Sequence, residues 1–118
     1  MSDSVFMLST IILNHREKWT APAWVARNLA AYLDNAFVLP ETDAKERFSE
    51  LVAGRANIVD LSGASSAQMR ELLKAAKFAR RVVKRPSEWA EPASALEFIT
   101  AFDQFLHLLR RDERVEEA

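Results

Sequence analysis

Residues Val5–Leu13 read VFMLSTIIL, and the conformation of this run decides the fold class. Its apolar residues point all around a helical wheel, as in a helix buried on every side, while Val5, Thr10, Ile11 and Ile12 are β-branched and suit a strand. We read it as a buried bundle helix, with a strand as the alternative. The run is about half the length a membrane span requires and lacks the basic segment that precedes a signal-peptide core. Neither membrane insertion nor export is therefore expected, and the chain is assigned to the cytoplasm.

Outward from this run, helical signals dominate. Thr20 is a candidate N-cap with Pro22 in the following first turn, and Val25, Leu29, Tyr32 and Ala36 recur at helical spacing, predicting a helix over 21–36. Thr42 and Asp43 open a shorter helix whose apolar face is Ala44, Phe48, Leu51 and Val52, with Gly54 placed for a left-handed C-cap. The connector RANIVDLSGAS (55–65) holds a possible short strand at Ile58–Leu61. A strand without a neighbour has no hydrogen-bond partner, so an irregular connector is expected. Ser65 with Gln68 forms a capping box for a helix running to Arg85, where Pro86 ends it. Ser94 with Glu97 forms a second box, opening a helix in which Phe98, Phe102, Phe105 and Leu109 share one face. Together with Trp24 these aromatics are assigned to the core. The expectation is an all-α fold: a single domain over 1–118, built as an antiparallel bundle of four to five helices with a frayed acidic tail from about 112.

Composition narrows the chemistry. The 118 residues include no Cys, which excludes disulfides, thiolate nucleophiles and Cys-bound metal. His107 follows Asp103 by one helical turn, two possible metal ligands, but the other histidine, His15, is far away in sequence, so no metal site is expected. Neither Gly54 nor Gly63 belongs to a phosphate-cradling loop. The turn at Ser62, Gly63, Ser65 and Ser66 resembles an anion-holding turn, but such turns usually only cap the helix that follows. No cofactor and no enzymatic activity are expected.

One feature stands out from this background. Residues 70–85, RELLKAAKFARRVVKR, carry seven positive charges and one negative in a chain of net charge −1. On a helical wheel Arg70, Lys74, Lys77, Arg81, Lys84 and Arg85 fall within about 100° of one another. Arg80 lies outside that sector, and Met69, Leu72, Ala75, Ala76, Ala79, Val82 and Val83 take most of the opposite side. Basic residues in the last turn complement the helix dipole, which accounts for the later ones but not for Arg70 in the first turn. Pairing with the acids of 91–118 or 41–60 is the other internal explanation, weakened where those acids belong to a fraying tail. The external explanation is an anionic partner: nucleic-acid backbone, placed first, or an acidic protein surface. Phe78 flanks the basic sector. A membrane partner is not expected, since the opposite face is Ala-rich and offers no Trp to insert.

These features predict a non-catalytic helical binding subunit whose basic helix 66–85 docks on nucleic acid or an acidic protein surface, within a complex or homo-oligomer. In size and charge layout it looks like the small helical subunits of RNA-guided interference complexes, though no motif is shared. The alternative is an immunity or antitoxin-like protein that binds and neutralises a partner protein.

Overall fold

The computed structural model describes residues 8–36 and 43–116. In chain order they form β1 (Leu8–Ile12), β2 (Lys18–Pro22), α1 (Ala23–Ala36), α2 (Asp43–Val52), β3 (Ile58–Asp60), α3 (Ser66–Val82), a 3-10 turn (Pro86–Glu88), α4 (Pro92–Arg110) and α5 (Glu113–Glu116). The strands make one mixed sheet in the order β2-β1-β3. β2 lies antiparallel to β1, with Ile11 opposite Trp19, and β3 lies parallel to β1, with Ile11 opposite Val59. The all-α bundle is therefore overturned: the fold is mixed α/β, and the described residues are 64% helical and 13% strand, with five helices and three strands among them. The likeness to purely helical subunits falls with it.

The two errors behind the bundle were coupled. β1 is the central strand, so its backbone bonds on both edges, and Ile58–Asp60 finds there the neighbour whose absence argued against a strand. Thr10 donates its N–H to the Asn57 carbonyl at 2.9 Å, and Leu61 donates to the Ile12 carbonyl at 2.8 Å. Along β1 the pleat buries Ser9 and Ile11 and turns Leu8 and Thr10 outward, so apolar side chains lie on both faces and mimic an all-round helix pattern. Asn14 closes the β1–β2 turn, its side-chain oxygen accepting from the Arg16 and Glu17 N–H groups at 2.8 and 3.0 Å. Thr20 consequently lies in the middle of β2 and Pro22 ends it, and α1 opens only at Ala23.

Helices cover one face of the sheet. Ile11, Leu13, Trp19, Ala21, Val59 and Leu61 meet Val25, Leu29 and Leu33 of α1, Met69, Leu72 and Ala76 of α3, and Phe98, Phe102, Phe105 and Leu109 of α4, all buried. Phe98 gathers Tyr32, Trp89 and Phe102 at centroid distances of 5.7, 5.7 and 5.8 Å. Trp19 stands edge-on to Phe105 at 5.7 Å and donates its indole N–H to the Ala101 carbonyl at 2.9 Å, tying β2 to α4. Trp24, expected in the core, is exposed.

Several boundaries move. Gly54 has φ +78°, the left-handed conformation expected after α2. Thr42, expected to help open α2, lies outside the described residues, as do Val5–Met7 of the N-terminal run. The Ser65–Gln68 capping box forms as expected. The Ser94–Glu97 box does not open α4: the helix begins earlier, at Pro92, whose fixed φ suits the first helical position, and Ser94 donates to the Glu91 carboxylate.

From 112, where a frayed tail is expected, the chain turns into α5. The Asp112 side chain is 2% exposed and accepts from Arg114 Nε and Nη2 at 2.9 and 2.8 Å and from Asn14 Nδ2 at 3.0 Å. Arg114 in turn donates to the carbonyls of Leu13, Leu61 and Ala64 at 2.6, 2.9 and 2.8 Å. This clamp fastens the ends of β1 and β3 and the entry to α3.

Candidate functional site

α3 is set by two opposite demands on one helix. Its inward stripe, Met69, Leu72, Ala75, Ala76 and Ala79, is buried, and the alanines let the helix lie close to α1. Its outward face carries Arg70, Lys74, Lys77, Phe78 and Arg81, all exposed. The helix stops at Val82, and Val83 is already extended at φ −69°, ψ 127°. Lys84 and Arg85 therefore lie past the helix end rather than on its face, since the residue before Pro86 favours extended backbone. Val82, assigned to the core side, is instead 50% exposed beside the 52% exposed Phe78.

The cations divide by what they touch. Arg80 turns to α4 and pairs with Asp103 at 2.8 Å, consistent with its position outside the basic sector. Arg85 meets Glu88 at 3.5 Å. Lys74, Lys77, Arg81 and Lys84 form no ion pair among the described residues. Several acids of 41–60 and 91–118 are engaged elsewhere. Asp112 is held by Arg114, Glu50 by Arg55 at 2.7 Å, and Asp60 accepts from the Ser62 N–H and hydroxyl at 2.9 and 2.7 Å. Internal pairing therefore does not explain Lys74, Lys77 and Arg81. They remain as a row about 10 Å long at a rise of about 1.5 Å per residue.

The other candidate chemistry is used up within the fold. The Asp103 carboxylate serves Arg80, and among the described residues no three metal-ligating side chains converge. Asp103 and His107 line an open groove of about 620 Å³ with Lys18, Thr20, Thr100 and Gln104. At the connector, Ser62 gives its N–H and hydroxyl to Asp60, and Ser65 is taken up by the capping box with Gln68. The two hydrogen bonds from Ser62 hold the Asp60 carboxyl below the ordinary range. The Asp112–Arg114 clamp was not foreseen, because RRDERVEE reads as solvated charge and nothing in the spacing marks one Asp and one Arg for burial. No helix among the described residues is long and apolar enough to cross a membrane.

No family model matches the chain, and no curated protein matches it in sequence. Its fold is similar to that of a chain in the solved structure of CdiA-CT toxin from Burkholderia pseudomallei E479 in complex with cognate CdiI immunity protein. The TM-score is 0.70, covering 91% of this chain and 98% of that one, at 14% identity. The likeness is one of fold.

Proposed function

We propose that the protein is a non-catalytic binder of the immunity type, which captures and neutralises a partner protein, and that Lys74, Lys77 and Arg81 of α3 dock on it. The observation that carries this reading is the fold likeness, nearly end to end on both chains, to a member of a toxin–immunity complex. The unpaired row on α3 supports it, since surface charge of one sign without internal partners speeds and orients encounter with an opposite surface. Arg70, Lys84 and Arg85 extend the same positive field at the two ends of the row. The nucleic-acid reading of this row has no fold neighbour behind it.

The test is a pull-down of tagged chain from its native host with and without nuclease, followed by co-expression of the recovered protein with and without the chain. A nuclease-resistant partner whose activity is suppressed at one-to-one stoichiometry is expected. Loss of all captured material after nuclease, or a partner whose activity is indifferent to excess chain, would overturn the proposal.

A further inference from the structure

The outward face of α3 is not charge alone. Phe78 lies four residues after Lys74 and three before Arg81, and Val82 follows Phe78 by one turn, so an apolar pair runs beside the cationic row. Both are about half exposed, at 52% and 50%. Resting on the immunity-type reading, we infer that the partner presents an acidic protein surface around an apolar hollow, and that Phe78 with Val82 fills this hollow while Lys74, Lys77 and Arg81 meet the surrounding carboxylates.

The composition of the face selects this occupant. Phe78 by itself would suit a nucleic-acid base, because every base offers a flat ring on which an aromatic can stack. Val82 has no such surface; a branched aliphatic beside a cation row gains from burial against other apolar side chains. An aromatic anchor ringed by charges is also how binding energy concentrates in protein interfaces, with a desolvated centre and a polar rim. A second copy of this chain is disfavoured, since two-fold pairing through α3 would lay the unpaired row against itself. The outer sheet face also exposes Leu8 and Ile58, but Lys18 and Asp60 at its margins carry opposite signs and specify no partner charge.

Site-specific photo-crosslinking locates the contact. Benzoylphenylalanine is placed in full-length tagged chain either at position 78 or, separately, at position 8, and the native host is irradiated before nuclease treatment. The expected result is a discrete nuclease-resistant protein adduct from position 78 and none from position 8. The crosslinked peptide should carry apolar side chains flanked by Asp and Glu, and adding Lys77→Glu should cut adduct yield about tenfold or more. An adduct from position 8 alone, a basic crosslinked peptide, or no adduct while a protein partner still co-purifies would overturn this inference and leave the immunity-type reading standing. A nucleic-acid adduct at position 78, or no protein partner at all, would overturn both.

Discussion

Arg114 and Asp112 form the most demanding contact in the structure, because each is a charge largely withdrawn from water and satisfied by the other. The Arg114 hydrogen bonds, with a further one from Asn14, hold the Asp112 carboxyl down at about 2 despite its burial. A carboxylate depressed in the folded state stabilises above its unfolded pKa, and that contribution is lost as pH falls through the folded value. The shift from 3.8 to about 2 corresponds to roughly 2 kcal/mol, present above about pH 4 and gone near pH 2. Denaturant melts between pH 5 and pH 2 should show this loss in wild type and not in Asp112→Asn; identical pH slopes would refute the clamp. Arg114→Ala should cost about 3–5 kcal/mol, as expected when a buried charge loses its partner. Phe102→Ala, in the middle of α4's buried row, should cost a similar amount, roughly 3–5 kcal/mol by cavity formation. That row was legible from spacing because hydrophobic periodicity records burial directly. Asp112 and Arg114 were not legible, because a buried ion pair and a solvated one use the same letters.

Helix termini and strand pairings test different parts of the fold. The Ser65 cap was readable because it is local, made within four residues, and Ser65→Ala should lower stability by about 1 kcal/mol. The sheet was not readable because its bonds join residues far apart, Thr10 to Asn57 and Ile12 to Leu61, and no single segment announces them. Ile58–Leu61 looked unsupported when judged alone. Pro92 shows a local signal of another kind, since two start signals competed and the fixed φ of proline took the helix start from Ser94. Hydrogen exchange measures the sheet amide by amide: Thr10 and Leu61 should be among the slowly exchanging N–H groups, protected by the pairing of β1 with the β3 segment. Fast exchange at Leu61 together with protection throughout 5–13 would restore a helical N-terminal run.

Charge is distributed so that, among the described residues, α3 faces outward with Lys74, Lys77 and Arg81 in no ion pair, while Asp112, Glu50 and Asp103 are paired within the fold. The row itself was legible in the sequence, since a wheel needs only the helix. Its shortening to Lys74, Lys77 and Arg81 was not, because that depended on where α3 stops, which leaves Lys84 and Arg85 past its end. The central claim is that this face captures and neutralises a partner protein. The most direct measurement compares wild type with the triple reversal Lys74→Glu, Lys77→Glu and Arg81→Glu in a titration of the nuclease-resistant partner's activity, with thermal melts run in parallel. All three side chains project away from the core, so the melting temperature should stay within a few degrees, while neutralising potency falls at least a hundredfold, as reversing three charges against an acidic surface implies. A triple variant that melts like wild type and neutralises the partner equally well would contradict the account.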